Sequence, residues 1–259
     1  SDEFKNLFIE SFQTFNIKKM KNNTSIFVKP NFLDMFFTYL FPHIKKKFYL
    51  FTGSSDYSID EKYESYLNNG KIIKWIGHNI TLQHSKIIKI PIGFSNTLGT
   101  NKELLNTLEH SIIPWDQKEN KLLITHMDVT SINEEAANYR RKVIQDFKDK
   151  SIVKKIEKCD LQSYLNHINN HKFVLCPKGN GIDTFRFWET VFLDSIPIIE
   201  SCSLDDLYEK VPCIIVKNFN EITETFLNNY KKDPQIDNRI YLKYENYVQC
   251  KCLDRMQTK

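Results

Sequence analysis

The chain has 259 residues, 41% of them hydrophobic, and a formal net charge of +4. That length holds one large domain or two of about 120–130 residues each, and the apolar content excludes wholesale disorder. Lys and Asp/Glu are interleaved, and basic runs such as Lys18-Lys19-Met20-Lys21 and Lys45-Lys46-Lys47 are short, a pattern of solvated faces that argues against a nucleic-acid partner.

Short apolar runs alternate with helical patterns along the chain. The expected strands are Ser25–Lys29, Lys47–Thr52, Ile72–Ile76 and Ile87–Ile92, then Lys121–Met127, Ile152–Ile156, Phe173–Cys176, Ile196–Ile199 and Cys213–Val216. The expected helices between and after them are Phe32–Leu40, Asp60–Asn68, Lys102–Leu108, Asn133–Asp149, Leu161–Asn169, Asp183–Asp194, Leu204–Lys210 and Glu221–Tyr230. Strands separated by helices of this length imply parallel sheets with crossover helices, and strands this rich in Ile, Val, Phe and Leu are expected to be buried on both faces. Between Gly93 and Asn120 lie Gly99, Pro114 and the polar run Asp116-Gln117-Lys118-Glu119-Asn120, after which the alternation restarts. The expected fold class is therefore α/β, two Rossmann-like domains facing a cleft, with residues 1–115 as the first and 116–259 as the second.

No apolar run reaches the ~18 residues that span a bilayer, and no signal peptide is visible. The start at Ser1 rather than Met fits a piece of a longer protein, whose other segments could supply an anchor or neighbouring domains. The expected location is cytoplasmic, or membrane-associated through such segments. The six cysteines form no CxxC pair, and no His/Cys cluster has zinc spacing. Buried free thiols are expected at Cys176 and Cys213, with Cys250-Lys251-Cys252 as an alternative metal or redox pair.

Phe173 to Glu200, FVLCPKGNGIDTFRFWETVFLDSIPIIE, is the densest stretch. A buried strand stops at Pro177, which has no N–H to extend a ladder. In Lys178-Gly179-Asn180-Gly181, two glycines and an Asn permit positive φ and leave backbone N–H groups uncovered. Asp183 or Thr184 can then cap a helix. A strand, a glycine turn and a helix N-terminus together form a phosphate seat, at the strand end where open α/β sheets bind ligands. At about 100° per residue, Asp183, Arg186, Glu189 and Thr190 share an arc of roughly 120°, backed by Phe185, Phe187, Trp188, Val191 and Phe192. Arg186 can reach a phosphate as a bidentate donor, Glu189 can accept hydrogen bonds from a ribose diol, and Lys178 adds a second positive charge. The competing structural reading is an exposed Arg186–Glu189 i,i+3 pair, with the glycines serving only the turn. There is no Walker loop and no GxGxxG fingerprint, which makes a kinase or other phosphate-handling enzyme the weaker class.

Pro177, Gly179, Asn180, Gly181, Asp183, Arg186, Trp188 and Glu189, followed by Ile196-Pro197-Ile198, resemble the C-terminal signature of exostosin-like glycosyltransferases, including their shorter viral, algal and bacterial forms. Weaker echoes are FTGSSDY (Phe51–Tyr57), WIGHNI (Trp75–Ile80), HSKIIKIPIG (His84–Gly93) and Asn138-Tyr139-Arg140-Arg141. Lys178 and Phe185 depart from commoner residues at their positions, which bears on donor identity.

The resemblance implies a glycosyltransferase of GT-B type. Its C-terminal half would bind a UDP- or GDP-sugar and its N-terminal half a glycan or glycoconjugate acceptor. Transfer would be inverting and need no metal, because basic side chains and helix N-termini neutralise the leaving diphosphate. A general base in the first half would deprotonate the acceptor hydroxyl. Asp56, in the turn after the Lys47–Thr52 strand, is the first choice, and His78 and then His84 follow. His126 could line the donor side. Of Arg140 and Arg141, at most one can face the site, since helix neighbours point about 100° apart. Trp75 and Trp115 are candidates for stacking on sugars, against core packing. A non-catalytic carbohydrate- or nucleotide-binding relative that keeps the donor pocket but lacks a base is the alternative.

Overall fold

The structure, a computed structural model, describes residues 17–100, 102–129 and 133–233. Among these are nine strands in two wholly parallel sheets, the α/β class that the alternation implies. Contacts divide the chain into compact units of Ser1–Ile90 and Pro91–Lys259.

The first sheet runs β1 (Thr24–Val28), β2 (Phe48–Thr52), β3 (Ile72–Gly77) and β4 (Ile87–Lys89), in that spatial order. β4 ends before the expected Ile92, because Pro91 cannot donate to a ladder. A monotonic parallel order with right-handed crossovers puts every connection on one face. That face carries the core of the unit, with Ile26, Val28, Phe48, Leu50, Ile72 and Trp75 from the strands and Phe36, Phe37 and Phe41 from the segment between β1 and β2. The helix expected at Phe32–Leu40 is wound instead as short 3-10, α and π stretches over residues 30–43, closing at Pro42. The expectation of burial on both faces fails at the outer row: Phe27 is 56% exposed, and Tyr49 and Phe51 are half-buried.

The second sheet comprises β5 (Glu119–Ile124), β6 (Val153–Lys155), β7 (His171–Leu175), β8 (Ile196–Glu200) and β9 (Ile214–Val216), in the order β6-β5-β7-β8-β9. β5 starts two residues before and ends three residues short of the expected Lys121–Met127 run. The order reverses between β5 and β7, so crossovers cover both faces and both bury apolar side chains. Leu123, Val174 and Cys176 face one core, while Leu122, Ile124, Phe173 and Leu175 face the other. Helices Leu161–Asn170 and Phe185–Phe192 pack on the first of these faces, and Glu134–Asp146 and Glu224–Asn229 on the second.

The units divide well before the expected 115/116 boundary. Leu98 and Leu108 are fully buried in the second unit's core, and Ile92, Phe94, Leu104 and Leu105 pack against it. Asn169 fixes the following turn, its Oδ1 accepting from Ile113 N at 3.0 Å and its Nδ2 donating to Ser111 O at 2.9 Å. The polar run 116–120 is not a linker either. Lys118 is 4% exposed. Its Nζ donates to Asn169 O at 2.6 Å, Leu193 O at 2.9 Å and Ser195 Oγ at 3.2 Å. Burial pushes the Lys118 ammonium down to about 7, opposed by Asp194 and reinforced by Lys232.

A lysine whose folded pKa lies below its unfolded value of 10.5 is deprotonated first in the native state. Between pH 7 and 10.5 the unfolded chain therefore binds more protons, and stability rises with pH; below pH 7 that gain is absent. The difference in unfolding free energy between wild type and Lys118→Met should grow by about 2 kcal/mol from pH 7 to pH 9, measured by urea denaturation. A pH-independent difference would mean that the ammonium stays charged in the fold.

Among the described residues no helix is long and apolar enough to cross a membrane. Cys176 is buried as expected, while Cys213 is only half-buried. Cys250 and Cys252 lie outside the described residues.

Candidate functional site

The carboxyl end of the second sheet assembles most of the residues that the sequence singles out. β7 runs into Cys176-Pro177 and the loop 178–184, and Thr184 caps the helix Phe185–Phe192, its hydroxyl accepting from Phe187 N. Neither Gly179 nor Gly181 has a positive φ, so the expected conformational reason for glycine does not hold. A Cβ at Gly179 would sit 2.8 Å from Arg140 Nη2, the far end of a flexible side chain that could shift to admit it. The loop also spends some of its amides internally, Gly179 N donating to Gly181 O at 2.9 Å and Thr184 N to Asp183 Oδ1 at 3.0 Å.

Asp183 and Glu189 are the main corrections. The helical wheel puts both on an outward arc, yet each is 3% exposed and Thr190 is fully buried, while Phe185 on the supposed inner side is 37% exposed. Asp183 Oδ2 accepts from Ile92 N at 2.6 Å. Its Oδ1 accepts from Trp188 Nε1 at 2.8 Å and Tyr208 OH at 3.1 Å, besides Thr184 N. Burial raises Asp183 to about 6 against these donors, so it remains ionised at neutral pH. Glu189 accepts from Tyr164 OH at 2.9 Å. Burial raises its pKa, countered by Tyr164, by the amide and hydroxyl of Ser95, and by the Arg186 charge. Both carboxylates anchor the segment 92–95 to the helix. Glu189 is thus occupied by protein donors where a ribose diol was expected.

Arg186 behaves differently. Its Nη2 donates to His126 O at 3.0 Å, in the loop after β5. Its Nε is buried and meets no acceptor, and Thr125 Oγ1, on a side chain that is 2% exposed, also has no partner. Thr125 stands one residue past the end of β5 and directly before His126, whose carbonyl accepts from Arg186. Two unsatisfied buried polar groups thus share the switch point between β5 and β7, where open α/β sheets take ligands.

Arg140 and Arg141 both reach the loop after β5, and of the two Arg140 also lies against the glycine loop. Arg140 lies against Gly179 and donates to Asp128 O. Arg141 is exposed and donates to Val129 O at 3.2 Å and to Asn138 Oδ1. Lys178 is about half exposed, 3.9 Å from Glu135 Oε1 and 5.3 Å above the Tyr139 ring. Asn180 is exposed in the loop and Gly181 is buried. Beside the loop, at the ends of β7 and β8, is a cavity of about 210 Å³ that Glu200, Tyr139, Lys178 and Thr184 help to line. Sequence reading passes over Glu200, although a carboxylate closing the apolar run Ile196-Pro197-Ile198-Ile199 marks the ligand-facing end of a parallel strand.

In the first unit, Asp56 is exposed in the turn after β2 and His78 follows β3. His78 is 7% exposed. Its Nε2 accepts from Ser54 N at 3.1 Å, and its Nδ1 lies 3.2 Å from the Asn79 side-chain amide. As the acceptor of that bond Nε2 carries no proton in this arrangement, which leaves Nδ1, beside Asn79 Nδ2, as the protonated ring nitrogen. Burial lowers the His78 pKa, with Asp56 opposing. The one acceptor nitrogen is taken by the Ser54 amide, which argues against His78 as a proton acceptor. It instead braces the turn at Ser54, whose φ is 58°. His84 is engaged too, its Nδ1 accepting from Lys86 N at 3.0 Å. Trp75 is fully buried, with Nε1 donating to Thr52 Oγ1 at 3.0 Å, and Trp115 packs edge-on against Phe173. Trp75 is thus no sugar platform, while Trp115 is half-buried at the edge of the second core.

Neither protein-family models nor curated proteins yield a match to this chain.

Proposed function

We propose that the second unit binds the diphosphate of a nucleotide sugar at the β5/β7 switch point, and that the chain is a metal-independent, inverting glycosyltransferase of the exostosin-like, GT-B type. The first unit would hold the acceptor, a hydroxyl of a glycan or glycoconjugate. The observation that carries this reading is the pair of unsatisfied buried groups, Arg186 Nε and Thr125 Oγ1. Leaving a buried donor unpaired costs about 1–3 kcal/mol, and a ligand oxygen would relieve it. Arg140 against Gly179 and Lys178 in the same loop add positive charge where a diphosphate would sit. In the transfer, the acceptor oxygen forms the new bond to the anomeric carbon as the bond from that carbon to the diphosphate oxygen breaks. The base takes the hydroxyl proton, and the departing nucleoside diphosphate keeps the electron pair. The cations stabilise the charge that develops on it.

Calorimetry with UDP, GDP, ADP and CDP tests the reading. Arg186→Ala should weaken binding of the preferred nucleotide by about 2–3 kcal/mol, about 30- to 150-fold. Thr125→Val should also weaken it while leaving the fold as stable or more so, because it deletes an unsatisfied hydroxyl without changing shape. Unchanged affinity in both variants would remove the diphosphate site.

A further inference from the structure

We propose that the cavity at the carboxyl ends of β7 and β8 is the seat of the nucleotide's ribose, with Glu200 accepting hydrogen bonds from its 2′ and 3′ hydroxyls. This rests on the nucleotide-donor reading above and replaces Glu189, which Tyr164 and Ser95 occupy, as the carboxylate that reads the diol. The cavity, about 210 Å³, is smaller than the roughly 300–1,000 Å³ of sites that enclose a whole ligand. It suits one small polar ring.

The lining fits such a ring. Phe187 and Ile199 supply apolar wall, and Lys178 and Thr184 lie on the side of the glycine loop, where the diphosphate would continue. Glu200 is held rigidly. Its Oε2 accepts from Tyr139 OH at 2.6 Å and its Oε1 from Phe219 N at 3.1 Å. Burial and the neighbouring carboxylate drive the Tyr139 pKa far up, so its hydroxyl keeps its proton and acts as a fixed donor. An ionised carboxylate accepts about four hydrogen bonds. One site on each oxygen therefore remains, the bidentate pattern that a vicinal diol satisfies. A lost hydroxyl leaves such a site unpaired, which is how a built polar pocket discriminates between analogues.

Calorimetry would compare UDP, GDP, ADP and CDP, each with its 2′-deoxy counterpart. Wild type is expected to prefer the ribonucleotide by about tenfold or more. In Glu200→Ala that ratio should fall toward one, with Glu200→Gln in between, while Glu189→Gln retains the wild-type ratio. Inorganic pyrophosphate is the control for folding, and both Glu200 variants should bind it as wild type does. Wild type without a ribo/deoxy preference would overturn the proposal with no variant needed. A preference that survives in Glu200→Ala would overturn it too, since the diol would then be read elsewhere. Failure of every nucleoside diphosphate to bind wild type would instead bring down the donor reading itself, and this proposal with it.

Discussion

Asp183→Ala is expected to destabilise the protein by about 3–5 kcal/mol, read as a lowered midpoint in urea denaturation at pH 7.5. Four donors converge on this carboxylate: Ile92 N, Thr184 N, Trp188 Nε1 and Tyr208 OH. Each buried donor left without an acceptor costs about 1–3 kcal/mol, and water entering the space left by the side chain recovers part of the sum. Asp183→Asn, which keeps the shape and one acceptor oxygen, should lose less. The Ile92 amide should exchange faster with solvent in both variants, because its acceptor ties the start of the second unit to the helix Phe185–Phe192. A residue that touches the nucleotide would behave in the opposite way, with affinity lost and unfolding unchanged. That outcome would return Asp183 to the ligand site.

The same residue marks where sequence reading stops. All nine strands among the described residues overlap the strands expected from the sequence, because each sheet has at least one face packed against a core and that face must be apolar. The glycine loop and its arginine are likewise local, which is why Lys178, Gly179, Thr184 and Arg186 were brought to the strand end as expected. Asp183 and Glu189 were not legible in this way. A helical wheel treats the arc opposite the core as solvent-facing, but here that arc is covered by Tyr164, by Tyr208 and by residues 92–95, most of a domain away in sequence. Lys118 failed for the same reason, since its acceptors Asn169, Leu193 and Ser195 are all remote in the chain. Gly179 was picked out for a backbone freedom that it does not use. A single sequence reveals which groups are chemically able, and long-range packing decides which of them remain available.

That distinction governs the first unit as well, where the sequence offers two candidate bases in Asp56 and His78. His78 is committed to Ser54 and Asn79. Asp56 is exposed one turn from the same strand ends, so it is the carboxylate that an acceptor hydroxyl could meet. If it is the general base, Asp56→Asn should lower kcat for transfer from the preferred nucleotide sugar by about 10²- to 10⁴-fold, the range of a lost proton acceptor. Nucleoside-diphosphate affinity should be unchanged, because the site proposed for it belongs to the second unit. His78→Ala should act through stability instead, since it frees the Ser54 turn and its left-handed backbone. If arginine and lysine stabilise the leaving group as proposed, wild-type activity should survive EDTA. Full activity in Asp56→Asn would send the search for the base elsewhere in the first unit. Tight nucleotide binding by wild type without transfer or hydrolysis of any nucleotide sugar would identify a binding protein that keeps the donor pocket and lacks the base.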